Sequence, residues 1–143
     1  MFDYLVDSNN NAESIFVSHA SCVKLSQIFG TVFLLDCTYK TNQLGMPLLV
    51  IVGLTCLNST FIASYVFLKN ETFNTYNWAL NRFKAWMGVN PEVLVTDREL
   101  ALMNAIGSVF PSAKHLLCLW HIAKNILAKT RKLFLLASKY NDF

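Results

Sequence analysis

Apolar runs of four to eight residues alternate along this chain with segments whose apolar residues recur every three or four positions. Met1 to Asp7 predicts a short strand, closed by the turn-forming Ser8-Asn9-Asn10-Asn11. Ser14 to Ser18 predicts its antiparallel return. Cys22, Val23, Leu25, Ile28 and Phe29 are spaced for a short amphipathic helix over 21–29, which Gly30 ends. Three strands follow, Thr31 to Asp36, Pro47 to Cys56 and Phe61 to Leu68. The polar stretch Thr38 to Gly45 and the Asn58-Ser59 turn separate them, and connections this short predict an antiparallel meander.

The period then lengthens. Phe73, Tyr76, Leu80, Phe83 and Met87 predict a helix over 72–87, capped by Thr72 or Asn70 and ended by Gly88. Pro91 introduces a strand, Val93 to Thr96, and a second helix runs from Arg98 to Phe110 until Pro111 stops it. Ala113 to Cys118 is a fifth strand, and Leu119 to about Tyr140 a long basic helix. The order is β-β-β-α-β-α-β-α after a ββα preface. It divides the chain into a preface over 1–29 and a core over 30–143. Each helical crossover adds a strand parallel to the first, with right-handed connections. If the fourth strand pairs with the first, the two strand ends at Asp36 and Asp97 become lateral neighbours, where open α/β sheets bind ligands.

Composition agrees with a packed α/β domain. The chain has 143 residues, 54% hydrophobic and only 15% charged, enough for one core and too apolar for disorder. The longest apolar stretch, Leu44 to Leu57, is interrupted by Gly45, Pro47 and Gly53 and is too short to span a membrane. The opening heptapeptide has neither the basic nor the apolar region of a signal peptide, which predicts an intracellular chain whose Cys22, Cys37, Cys56 and Cys118 are thiols. The net charge of +3 is unevenly placed. Lys114, Lys124, Lys129, Arg131, Lys132 and Lys139 fall in a C-terminal stretch free of acids, which suits either a phosphate backbone or a solvated helix face.

Two of the strands deliver an aspartate at their ends: Leu34-Leu35-Asp36 and Val95-Thr96-Asp97. Adjacent carboxylates repel, and a divalent cation removes the conflict. A hard ion such as Mg²⁺ takes one or two carboxylates plus substrate phosphates, the arrangement of phosphoryl-transfer sites. The competing reading is that Asp97 caps the helix that follows it. Cys118-Leu119-Trp120-His121 is the second constellation. It could contribute two ligands to a zinc site, although a closed site needs four. It could equally be a buried thiol beside a helix-anchoring histidine, or a phosphate contact. His115 lies nearby in sequence, and His19 and Cys22 form a similar pair far from it. Thr38, Tyr39, Lys40 and Thr41 could hold a phosphate backbone or form an ordinary turn. Trp78, Trp86 and Trp120 are expected to pack in the core.

Three stretches in order, Leu35 to Asn42, Val95 to Ile106 and His115 to Ile122, together with Phe16-Val17-Ser18-His19, resemble the MULE (Mutator-like element) transposase domain. The resemblance implies an RNase H-like fold, here a mixed five-stranded sheet behind the ββα preface. It also implies a DDE catalytic core in which Asp36 and Asp97 are catalytic and bind Mg²⁺ or Mn²⁺. The Cys-x-x-His motif of that family maps onto Cys118 and His121. The implied reaction is DNA cleavage and strand transfer, with DNA as partner, self-association, and a nuclear location in a eukaryote. Lys40, Lys124, Lys129, Arg131 and Lys132 are the candidate DNA contacts. The third acid of that family is a Glu well beyond the Cys-x-x-His motif, and the only acid here after Glu99 is Asp142. The chain is therefore expected to be the front part of a catalytic domain, a fragment or a degenerate copy. Plant light-signalling regulators resemble the same family and work as DNA-binding factors, so the alternative expectation is a domesticated DNA-binding protein or an inactive remnant.

Overall fold

The computed structural model describes residues 1–138 apart from Val89, with side chains described as far as Thr130. Seven strands and four helices follow in the order β1 (Phe2–Val6), β2 (Ala12–Val17), α1 (Ala20–Ile28), β3 (Val32–Thr38), β4 (Leu48–Leu54), β5 (Thr60–Phe67), α2 (Phe73–Met87), β6 (Val93–Thr96), α3 (Leu100–Val109), β7 (Lys114–Leu117) and α4 (Leu119–Ser138). The part of the last helix expected near Tyr140 lies outside the described residues.

The strands form one mixed sheet in the order β1-β2-β5-β4-β3-β6-β7. The meander is antiparallel, and β3, β6 and β7 are parallel. The expected five-stranded sheet is thus the larger part of a seven-stranded one. The hairpin read as a preface is hydrogen-bonded into it, with Ile15 opposite Phe67 and Val17 opposite Tyr65. Three further contacts fix the hairpin. Ser18 Oγ donates to the Ala63 carbonyl at 2.6 Å, the Lys69 amide donates to Ser14 Oγ at 3.1 Å, and Arg82 on α2 pairs with Asp3 at 3.1 Å. Phe16, fully buried, meets Trp86 edge-on with ring centroids 5.1 Å apart. Burying such a ring contributes roughly 2–3 kcal/mol, enough to hold a short hairpin against its neighbour.

Alternation along the strands defines two faces. Phe33, Leu35, Leu49, Ile51 and Leu94 point to one side and are closed over by Tyr76, Leu80, Phe83 and Met87 of α2 and Leu102, Ala105 and Ile106 of α3. Phe83 packs edge-on against Phe33 at 5.0 Å. Val23 of α1 joins the same core. The alternate positions Val32, Leu34, Val50, Val52 and Val95 are only half-buried, and Ile62 and Tyr65 on the same side are exposed. All three of these helices therefore pack on one face of the sheet, and its opposite face is open among the described residues.

Local chemistry sets the element ends. Gly88, in the left-handed conformation (φ 62°), terminates α2, as glycine does without steric cost. Thr72 occupies the α2 N-cap, but its hydroxyl donates to Asn70 Oδ1 instead of capping a backbone amide. Gly53 lies opposite Phe61, and a Cβ there would stand 2.3 Å from the ring.

Candidate nucleic-acid and metal site at the ends of the parallel strands

The parallel ladders place the candidate residues by register. Leu35 pairs with Thr96, and Thr96 with Leu117. One residue further along each strand stand Asp36, Asp97 and Cys118. The ladder continues that far, since the Cys118 amide donates to the Thr96 carbonyl at 2.7 Å. Residues opposite one another in neighbouring strands share a face, so the three form a row across β3, β6 and β7. The row lies on the open side, beside Leu34 and Val95, and Val50 and Tyr65 continue it through the antiparallel strands.

Asp97 is not the cap of the following helix. That position belongs to Glu99, whose carboxylate accepts from the Ala101 amide at 3.1 Å. The capping reading of Asp97 is thereby removed, and its carboxylate is left for the row. The α3 helix accordingly begins at Leu100, two residues later than the sequence suggested.

His121 sits in the first turn of α4. Its Nε2 lies 3.6 Å from Asp36 Oδ1, while its Nδ1 is buried without a partner among the described residues. Asp36 remains about half exposed (49%). Two depressions meet at Cys118 and His121. One is apolar, between Leu34, Asp36, Val95 and Trp120. The other is a groove of about 500 Å³ bounded by Asp97, Arg98, Asn125 and Lys129. Trp120, expected in the core, is 62% exposed, with Lys124 Nζ 4.8 Å from its ring centroid. The reason is that α4 presents its first turns to solvent: Leu119, Ile126 and Leu127 are exposed as well.

The remaining sequence candidates are dispersed. His115 is on the helix-covered face, where its Nε2 lies 2.8 Å from Thr96 Oγ1. That hydroxyl donates to the Asp97 carbonyl, which leaves the imidazole to donate through Nε2. Burial lowers the pKa of His115. His19 caps α1, and with Cys22 it lies beside Ile62 and Ala63, on a different part of the sheet from Cys118. Lys40 is exposed in the turn after β3, in a left-handed conformation (φ 58°). Lys124 and Lys129 are exposed on α4. Arg131 and Lys132 are on the same helix, beyond the last described side chain. Asp142 lies outside the described residues.

Among the described residues no three His, Cys, Asp or Glu side chains gather in a metal-binding cluster. The donor set at the row nevertheless suits one hard divalent ion: two carboxylates in lateral register, one of them half exposed, with an open side for water or phosphate oxygens. Among the described residues no two further ligands of that kind join Cys118 and His121 to close a zinc site. Cys37, next to Asp36, points to the other face, and burial pushes its thiol up to about 12, so it is a protonated packing residue.

Sequence reasoning missed two charged residues here. Arg98 shares the groove with Lys129, and its position directly after Asp97 was the available signal. Glu71 receives the hydroxyls of Tyr39 and Tyr76, and nothing in the local sequence pointed to it.

A family model for the MULE transposase domain matches residues 32–125, well over half of the chain. The Arabidopsis thaliana Protein FAR1-RELATED SEQUENCE 11 is 31% identical over 122 residues, covering 85% of this chain and 18% of that protein. Protein FAR1-RELATED SEQUENCE 6 of the same plant is 32% identical over 133 residues, covering 90% of this chain and 18% of that protein. A Chaetomium globosum protein named PKS-NRPS hybrid synthetase cheA is 32% identical over 139 residues, covering 92% of this chain and 3% of that protein. The chain thus spans less than a fifth of these relatives. A row of strand-end residues at Asp36, Asp97 and Cys118, inside the matched segment, and the match itself lead to one assignment: the chain belongs to the MULE transposase domain family.

Proposed function

We propose that this chain is a DNA-binding domain of transposase descent, serving regulation as do the plant light-signalling regulators that resemble the same family. The observation that carries the reading is the pairing of Asp36 with His121. The first acid of the row already has an imidazole against it, and no third acid joins the row among the described residues. DNA would lie along the exposed cations Lys40, Lys124 and Lys129, with Arg131 and Lys132 continuing the same basic helix. An antiparallel meander continued by two parallel strands, in the order β5-β4-β3-β6-β7, supports reading this sheet as an RNase H-like one that descends from a polynucleotide-handling fold. A nuclear location accords with this reading.

The lateral register of Asp36 and Asp97 favours a second reading, a catalytic transposase core. Those carboxylates would then hold Mg²⁺ or Mn²⁺, which would supply charge neutralisation at a phosphodiester. The two readings separate in one experiment. Fluorescence anisotropy with a labelled duplex across a salt series is expected to show binding that weakens steeply as salt rises, and nicking assays with Mg²⁺ or Mn²⁺ are expected to show none. Absence of binding at low salt would reject the DNA-binding reading. Metal-dependent nicking that disappears in Asp36→Asn and Asp97→Asn would establish the catalytic one.

A further inference from the structure

On the helix side of the sheet, just past Asp36, three polar side chains from separate segments converge. Tyr39 Oη donates to Glu71 Oε2 at 2.5 Å, and Tyr76 Oη donates to Glu71 Oε1 at 2.9 Å. Tyr39 is three residues beyond Asp36, Glu71 immediately precedes the α2 N-cap, and Tyr76 is a fully buried residue of α2. Both oxygens of one carboxylate are therefore taken by phenols, one anchored in the core and the other 60% exposed. Hydrogen bonds to an ionised acceptor are about twice as strong as neutral ones, and the start of α2 adds a favourable dipole for an anion. The hydrogen bond to Glu71 raises the Tyr39 phenol above its usual range.

A second observation lies one residue further on. Lys40 adopts φ 58°, a left-handed conformation that strains a residue with a Cβ. Asn10 and Asn58, the other non-glycine residues with positive φ among those described, are of a type that tolerates it. A strained conformation persists where its surroundings over-determine it, and the Tyr39 anchor is the adjacent constraint.

We propose that Glu71 is a positioning residue: gripped by Tyr39 and Tyr76, it fixes the end of β3 so that Asp36 and Lys40 are presented together to a phosphate-bearing ligand and its cation. This rests on the reading of the Asp36 row as the functional site. Glu71 itself faces away from that row and acts only through the backbone between Asp36 and Lys40. Tyr76 transmits the rigidity of the core, and Tyr39 passes it to the turn.

The test uses Glu71→Gln and Tyr39→Phe in the full chain, with three measurements. Amide hydrogen exchange at residues 37–40 is expected to accelerate at least tenfold in both variants, with core amides of α2 and β4 unchanged. Mn²⁺ affinity, by titration calorimetry, is expected to fall by about tenfold as the loosened backbone lets the Asp36 carboxylate stray from its place. The melting temperature of Tyr39→Phe, whose ring is exposed, is expected to stay near that of the parent. Unchanged exchange at 37–40 in Tyr39→Phe would overturn the proposal. So would unchanged Mn²⁺ affinity in a variant whose exchange had accelerated. If the parent chain binds no Mn²⁺, the metal reading falls by itself. Anisotropy with labelled duplex then takes its place, and equal affinity of parent and Tyr39→Phe would overturn the positioning role.

Discussion

The His121 imidazole approaches Asp36 through Nε2 at 3.6 Å, while the Nδ1 of the same ring is buried with no hydrogen-bond partner among the described residues. A buried polar atom left unpaired costs about 1–3 kcal/mol. Among the described residues, the polar contact of the ring is thus its approach to Asp36, near the end of β3.

Replacing His121 with Met, similar in volume and without the orphaned nitrogen, is expected to leave the melting temperature unchanged or slightly raised. Under the DNA-binding reading, DNA affinity is expected to be insensitive to Mn²⁺ in both parent and variant; under the catalytic reading, affinity in the presence of Mn²⁺ is expected to fall by about tenfold, the scale on which a lost outer partner of a metal site acts. Thermal unfolding and anisotropy measured on the same preparation check this. A large loss of stability would instead make the ring a packing residue.

His115 provides a pH dependence whose sign follows from its burial. Its pKa in the folded chain lies below the ordinary histidine value of 6.5. The unfolded chain therefore takes up a proton first as pH falls. Stability contributed by the neutral ring is complete above about pH 6.5 and is lost progressively as pH drops from there through the lowered value. Melting curves between pH 7.5 and 5 are expected to show a steeper acid-side decline for the parent than for His115→Gln.

Gly53 tests the close approach of β4 and β5. The nearest atom to a Cβ built there is Phe61 Cζ at 2.3 Å, and Phe61 packs against the core. Gly53→Ala is expected to destabilise by about 1–3 kcal/mol, the range for overpacking a filled site. Gly53→Ala combined with Phe61→Leu is expected to recover part of that loss in chemical denaturation.

What could be read from the sequence, and what could not, divides by the range of the interactions. The run Thr31 to Asp36, the meander and the helix at Phe73–Met87 rest on patterns within a few residues, and the structure has all three, with β3 running two residues past Asp36, to Thr38, where it still pairs with β4. The neighbourhood of Asp36 and Asp97 followed from connection rules alone. The pairing of Ile15 with Phe67 joins segments about fifty residues apart, and no periodicity announces it. The same holds for the Tyr39–Glu71 contact, 32 residues apart in the chain. Glu99, rather than Asp97, caps α3 because one residue of register decides which carboxylate meets a free amide. Trp120 was expected inside on grounds of residue type, and the outward course of α4 overrides that preference.

The one-sided packing of the sheet has a calorimetric consequence. Heat-capacity change on unfolding reports apolar surface newly exposed to water, about 12–15 cal/mol/K per residue for ordinary domains. Val32, Leu34, Val50, Val52 and Val95 are half-wetted before unfolding begins, so this chain alone is expected to fall below that range. The missing part of the signal should reappear elsewhere. Any molecule that comes to lie across that face, whatever its other contacts, will register as a negative heat-capacity change of binding, with the carboxylates of the strand-end row at the margin of the newly dried surface.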